Sequence, residues 1–183
     1  MIYGLAAASQ LLNDPDILAD ALSAANLISA DLIAADESLD IIGGSAGAIL
    51  GLLKLHQVAG LGLALDKAIL CGEHLLKKPR IGDDGKRCWI NPQMLSPKPL
   101  NGMSHGASGF AYALIKLYEK TQRQEFLDAA NECLEYEKSN YLPEHTNWGD
   151  LRGSGSTDVC QWCHGAIGIG IARLGIKNAW KSY

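Results

Sequence analysis

The sequence predicts an all-α fold built from helical hairpins. Three Gly-x-x-Gly steps, at 44–47, 106–109 and 165–168, recur about 60 residues apart, and each opens a segment with apolar residues at helical spacing. Further amphipathic segments lie between these steps, and no strand-like alternation of apolar and polar residues lasts more than a few positions. An apolar fraction of 48% over 183 residues is enough for a packed core and too high for a disordered chain.

The first half of the chain contains three predicted helices. Asp14-Pro15 is typical of a helix start, because the aspartate side chain can cap free amide groups and proline suits the first helical position. A helix is therefore predicted over 16–27. The glycine cluster at 43–47 opens a second helix, and after a turn at 60–62 a third is predicted over 66–76.

The second half repeats this order. The step at 106–109 opens a helix, the segment 124–139 is amphipathic, and the step at 165–168 opens another apolar helix. The connections 78–104 and 139–162 are long for loops in a compact domain, and loops of that length commonly carry function. Candidate functional residues are therefore sought at the ends of these two connections.

Composition excludes two classes of protein. The net charge of −4 and the absence of a Lys/Arg cluster argue against nucleic-acid binding. No uninterrupted apolar run is long enough to predict a membrane span, and the N-terminus lacks the basic segment of an export signal.

The cysteines indicate a reducing compartment. Five cysteines at irregular spacing do not form the even set of a secreted disulfide framework, so a cytoplasmic protein with reduced thiols is expected. Cys160 and Cys163 form a Cys-x-x-Cys step, but the chain has neither a second pair for a zinc ribbon nor the βαβ pattern of a thioredoxin-like site.

Residues capable of catalysis or metal binding precede each glycine-rich helix start. They are Asp40 before the first, His105 before the second, and Cys163 with His164 before the third. The positive end of a helix dipole stabilises a thiolate and disfavours a protonated imidazole. The repeat predicts that these side chains occupy equivalent places at one end of the hairpin array.

Four blocks carry a family resemblance. Residues 40–56, 102–109, 147–152 and 162–173 resemble the lanthionine synthetase C-like family, and most closely the cyclase domain at the C-terminus of class II bifunctional lanthipeptide synthetases. The resemblance implies an α/α toroid of six or seven helical hairpins. It also implies zinc-dependent lanthipeptide (lantibiotic) cyclisation, in which peptide cysteine thiolates add to dehydroalanine or dehydrobutyrine to form thioether rings.

The resemblance also assigns roles to individual residues. Cys163 matches a zinc ligand, His105 an acid/base residue, and Asp40 an acidic residue that orients His105 or assists proton transfer. His164 is expected beside the metal, facing the substrate. A structural or substrate-binding role is expected for a further block of four residues, Asn147, Trp148, Asp150 and Arg152.

The sequence departs from the family pattern after Arg173. The Cys-His pair that completes the zinc site does not follow, and residues 1–183 resemble a partial cyclase domain, an incomplete arc of the toroid. Because a catalytic zinc needs three protein ligands, weak zinc binding and little activity are expected of this chain alone. The expected partners are a dehydrated precursor peptide, the remainder of the toroid and a dehydratase domain.

Two other functions are considered. The chain is alternatively a non-catalytic module or degenerate remnant that binds a peptide or thiol without cyclising it. A six-hairpin glycosidase would need two carboxylates across the sugar bond, and it leaves the block at 162–165 unexplained. Its candidate carboxylates are Asp40, Glu144, Asp150 and Asp158.

Overall fold

The computed structural model describes residues 1–94, 96–152 and 159–179. These ranges are mostly helical, which confirms the predicted all-α class. The helices are α1 (Ile2–Leu12), α2 (Pro15–Asn26), α3 (Ala30–Ala34), α4 (Ser45–Ala59), α5 (Gly62–Lys77), α6 (Ala107–Thr121), α7 (Gln124–Ser139) and α8 (Ala166–Ile176). The strands are β1 (Ile81–Asp83), β2 (Lys86–Cys88), β3 (Tyr141–Leu142) and β4 (Asn147–Trp148).

Three pairs of helices form hairpins, α1 with α2, α4 with α5 and α6 with α7. Each pair is joined by a tight turn whose first residue is left-handed, namely Asn13, Gly60 or Gln122. In that conformation the amide of the turn residue donates to a carbonyl in the last turn of the first helix, which ends the helix there. The chain then reverses direction, and the second helix packs against the first.

The hairpins are arranged in an arc. The first helices and α8 contact one another in chain order, α1 with α4, α4 with α6 and α6 with α8. Each second helix packs on its own partner, and α5 and α7 also contact each other. This two-layer arrangement agrees with the α/α toroid that the family resemblance implies.

Local signals predict the helix starts well. Asp14 caps α2, because its carboxylate accepts hydrogen bonds from the amides of Asp16 and Ile17. The segment predicted over 124–139 has the bounds of α7, and the one predicted over 66–76 lies inside α5. Helices α1 and α3 have no counterpart among the predicted helices, and the five residues of α3 carry too short an apolar pattern.

The core lies between the inner helices (α1, α4, α6 and α8) and the outer helices (α2, α5 and α7). It is formed mainly by aliphatic side chains of α4 and α6 together with aromatic side chains that close the gaps. Trp89, from the connection after β2, is fully buried, and its ring centroid lies 5.2 Å from that of Phe110. Its indole nitrogen donates to the carbonyl of Leu75 at 2.9 Å, so the long connection is fixed to the end of α5.

The Gly-x-x-Gly repeat is explained by close packing of each helix start against its own preceding loop. The first glycine of each step is the N-cap of α4, α6 or α8. A Cβ atom on the second glycine would collide with a carbonyl oxygen six residues earlier. The colliding pairs are Gly47 with Ile41 at 2.1 Å, Gly109 with Met103 at 2.2 Å and Gly168 with Trp162 at 1.9 Å.

The two long connections contain short antiparallel hairpins, whereas the sequence predicts loops there. β1 pairs with β2 around a turn at Asp84 and Gly85, both with positive φ, and β3 pairs with β4. Strands of two or three residues are too short to show alternation.

Among the helices in the described ranges, none is long and apolar enough to cross a membrane. Asp158 lies outside the described residues.

Candidate active site

The loops before α4, α6 and α8 lie side by side and form one rim of the arc (residues 40–44, 101–106 and 161–165). The amide of Ile41 donates to the carbonyl of Ser104 at 3.2 Å, and the amide of Ser104 donates to the carbonyl of Cys163 at 3.4 Å. The three loops therefore lie together at one end of the arc. Their functional side chains lie at different positions within the loops. Asp40, Cys163 and His105 lie four, two and one residues, respectively, before the N-cap glycine of the following helix.

Asp40 and His105 form the central pair of the rim. Oδ2 of Asp40 lies 2.6 Å from Nδ1 of His105. The carboxylate is 1% exposed, and its Oδ1 accepts hydrogen bonds from the amides of Ile42 and Gly43, both at 2.9 Å. Because a carboxylate oxygen only accepts, Nδ1 carries a proton, which leaves Nε2 of His105 available to take or give another.

His164 lies next to His105. The two ring centroids are 6.1 Å apart with an interplanar angle of 29°. His164 is buried, and burial together with the positive charge of Arg152 lowers the pKa of its imidazole. His105 adds to this effect, which favours the neutral form of the His164 imidazole.

Cys163 supplies a partly exposed thiol on the same rim. Its Sγ lies 3.4 Å from Oε1 of Gln161, and its carbonyl accepts hydrogen bonds from both the amide and the hydroxyl of Ser104. The backbone of Cys163 is therefore fixed to the loop that carries His105, while the sulfur keeps access to solvent.

Asp150 and Arg152 form an ion pair near His164. The guanidinium donates to both carboxylate oxygens, with the shortest contact, to Oδ2, at 2.6 Å. This contact holds the pKa of the Asp150 carboxyl below its usual range, and Asp150 in turn raises the pKa of Arg152. A positive charge is thus held near Cys163 and His164.

Asn147 and Trp148 have structural contacts. The side chain of Asn147 accepts a hydrogen bond from the amide of Ala166 at 2.9 Å and donates to the carbonyl of Val159 at 3.0 Å, so it fixes the start of α8. The Trp148 ring packs against Tyr141, with centroids 4.8 Å apart. A substrate-binding role for these two residues stays a prediction.

Comparison with known proteins agrees with the family resemblance. The family model of the lanthionine synthetase C-like proteins matches residues 1–182. The chain belongs to the lanthionine synthetase C-like family. It is also 38% identical over 71 residues to the lacticin 481/lactococcin biosynthesis protein LcnDR2 of Lactococcus lactis subsp. lactis, a match that spans 39% of this chain and 8% of that protein.

The family implies zinc, and the described residues do not form a complete site for it. Cys163 and His164 are the side chains of the third loop that are chemically able to bind a metal, and Nδ1 of His105 is engaged by Asp40. Within the described ranges, no group of three or more His, Cys, Asp or Glu side chains is placed to hold a metal ion. A zinc ion bound here would need donors from outside those ranges.

Two residues that hold the site are missing from the sequence predictions. Asn91 donates its side-chain amide to Oδ2 of Asp40, the oxygen that also faces His105. Glu137 is fully buried and accepts hydrogen bonds from Gly102 at 3.0 Å and Ser108 at 2.6 Å, so α7 fixes the loop that carries His105.

Only one of these two residues leaves a signal in the sequence. Glu137 continues the helical spacing of the apolar face that includes Cys133 and Leu134, and a carboxylate on such a face indicates a buried polar contact. Asn91 lies in an irregular connection and carries no comparable signal.

Proposed function

We propose that this chain is a lanthipeptide cyclase-type domain that closes thioether rings in a dehydrated precursor peptide. The observation that carries the proposal is the buried Asp40 carboxylate held 2.6 Å from Nδ1 of a partly exposed His105, on the rim that also carries Cys163. Family membership supports the same chemistry, and the related protein from Lactococcus lactis is named for lacticin 481 and lactococcin biosynthesis.

The Asp40–His105 pair would move one proton through a complete cycle. Nε2 of His105 takes the proton of the substrate thiol, and Asp40 stabilises the resulting imidazolium. The thiolate sulfur then forms a bond to the β-carbon of dehydroalanine or dehydrobutyrine, while the π electrons of the C=C bond move to the adjacent carbonyl as an enolate. The α-carbon takes the proton back from His105, so the ring closes with no net gain or loss of protons.

Asp40 would act through His105. The amides of Ile42 and Gly43 and the side chain of Asn91 fix the carboxylate, which leaves one oxygen directed at the imidazole. Removal of a positioned acid/base group typically costs about 100- to 10,000-fold in rate. We expect His105→Gln to lose most of the catalysis and Asp40→Asn to lose a smaller part.

Zinc is a separate part of the proposal, and Cys163 is the donor that we assign to it. A bound zinc ion would keep the substrate thiol deprotonated at neutral pH. Because the described residues do not supply three donors, we expect the purified chain to hold much less than one zinc per chain. Elemental analysis beside Cys163→Ala tests this, and near-stoichiometric zinc that is lost in the variant would contradict the expectation.

Ring closure itself is tested on a synthetic peptide that contains one cysteine and one dehydrobutyrine. Product is counted by mass spectrometry after thiol alkylation, with and without added zinc, against the peptide without protein. We expect the chain to accelerate closure only slightly, because the described residues do not form a complete zinc site, and His105→Gln to return the rate to the background. His56→Gln, in the last turn of α4 and at the opposite end from the rim, is the matched control.

Each outcome of this assay is informative. No acceleration by the chain, with added zinc as without, would refute the proposal and favour the binding module. Equal activity in the wild type and His105→Gln would refute the role of the Asp40–His105 pair.

A further inference from the structure

A concave groove runs from the rim along the inner helices, and the proposed mechanism does not use it. It has a volume of about 620 Å³ and lies between α1, α4 and α6. Its rim end is lined by Ile41, Met103 and Trp162, each within two residues of a residue of the candidate site. Its far end is lined by lysines, namely Lys54, Lys116 and Lys120.

The lysines come from a repeated position. Lys54 and Lys116 each lie nine residues after the first residue of their helix, so they face the groove at the same depth. At 1.5 Å per residue that depth is about 13 Å from the rim, and Lys120 lies about one turn deeper. The groove therefore has a reactive end and a cationic end.

The groove is a positive region on an acidic chain. The protein has a net charge of −4, whereas the groove lining contains three lysines and one acidic residue, Glu119. Lys116 pairs with Glu119 at 2.9 Å, and Lys54 donates to the neutral amide of Gln10. In the described ranges neither Lys54 nor Lys120 has a carboxylate partner, so their charges are available to an anionic ligand.

The rim end of the groove is apolar. Trp162 is 44% exposed and Tyr3 is 56% exposed, and both line the groove. Exposed aromatic side chains in a concavity favour a ligand that also carries apolar groups. A small inorganic anion would satisfy the lysines and leave this surface uncovered.

We propose that the groove binds an acidic segment of the peptide substrate. Carboxylates of this segment contact the lysines while a cysteine further along the same peptide reacts at the rim. An extended peptide rises about 3.3 Å per residue, so the distances to Lys54 and Lys120 place these carboxylates about four to six residues from the reacting cysteine. The identity of this peptide as the substrate rests on the proposed function. Binding of an acidic segment in the groove is measured independently of it.

The experiment uses a fluorescein-labelled peptide in which serine replaces the reacting cysteine and two glutamates lie four and six residues away. Fluorescence anisotropy gives its dissociation constant for the wild type, Lys54→Gln, Lys120→Gln and Lys86→Gln. Lys86 is exposed on the β1–β2 hairpin and is the matched control. We expect about fivefold weaker binding for each groove variant, no change for Lys86→Gln, and weaker binding as salt is raised.

Two comparisons can overturn the inference. The same peptide with glutamine for glutamate would have to bind more weakly, and equal binding refutes the assignment of carboxylates to the lysines. Displacement of the glutamate peptide by inorganic phosphate alone at similar concentration would show a general anion site. Because the peptide cannot react, loss of binding with intact ring closure refutes only this inference, and intact binding without ring closure refutes only the proposed function.

Discussion

Gly168 and Gly170 lie in the same helix, α8, and we predict opposite effects when each is replaced by alanine. A Cβ atom at Gly168 would lie 1.9 Å from the carbonyl oxygen of Trp162 and 3.0 Å from Cβ of Met103, whereas nothing lies within 4 Å of a Cβ atom at Gly170. Ordinary contacts of a Cβ atom begin near 3.4 Å. The methyl group at 168 therefore requires the loop backbone to move by about 1.5 Å.

The expected magnitudes follow from these surroundings. Overpacking costs about 1–3 kcal/mol, and the upper end applies at Gly168 because a backbone carbonyl cannot rotate away as a side chain can. Alanine at Gly170 stabilises a helix interior by about 0.5–1 kcal/mol, since it reduces the entropy of the unfolded chain. The two variants, each with one added methyl group, should thus differ by about 3–4 kcal/mol.

Urea unfolding followed by far-UV circular dichroism measures this difference, with the wild-type chain in the same series. The expected order of the free energy of unfolding is Gly170→Ala, then wild type, then Gly168→Ala. Equal stability of the two variants would refute close packing as the reason for the Gly-x-x-Gly repeat.

Two further predictions concern the thiols and one ion pair. In the native chain, Ellman's reagent should react with two of the five cysteines, and a third fast thiol would contradict the structure, in which burial raises the pKa of Cys71 to about 12. The two reactive residues are Cys160 and Cys163. The second prediction concerns the Asp150–Arg152 ion pair. Because Arg152 lowers the pKa of Asp150, the ion pair stabilises the folded chain above pH about 4, and this stabilisation is lost as the pH falls through the pKa of Asp150 in the folded chain. The loss of unfolding free energy in Asp150→Asn should therefore shrink in acid, and a loss independent of pH would contradict this.

Much of the fold is predictable because its signals are local. The cap at Asp14 and the amphipathic segment over 124–139 depend on residues within one or two helical turns of each other, and the structure agrees with both. The repeated glycines also identify three helix starts from sequence. Helix α1, α3 and the short strands have no predicted counterpart. For α3 and the strands the reason is that two to five residues carry too little periodicity.

The candidate site is predictable in its parts and less so in its arrangement. The amino-acid sequence alone specifies the residue types, Asp40, His105 and Cys163, and their positions before repeated helix starts. It also specifies the overall charge and the family. These properties are contained in composition and short-range order, and they need no knowledge of which segments meet.

The arrangement of these residues relative to one another is visible only in the folded chain. Asp40 and His105 are 65 residues apart in sequence, and packing of α4 against α6 brings their side chains to 2.6 Å. The same packing aligns Lys54 and Lys116 along one groove and lets Asn91, from an irregular connection, reach the Asp40 carboxylate. Such contacts depend on the crossing of distant helices, which local periodicity does not encode, and so the arrangement of the site emerges only when the hairpins pack side by side.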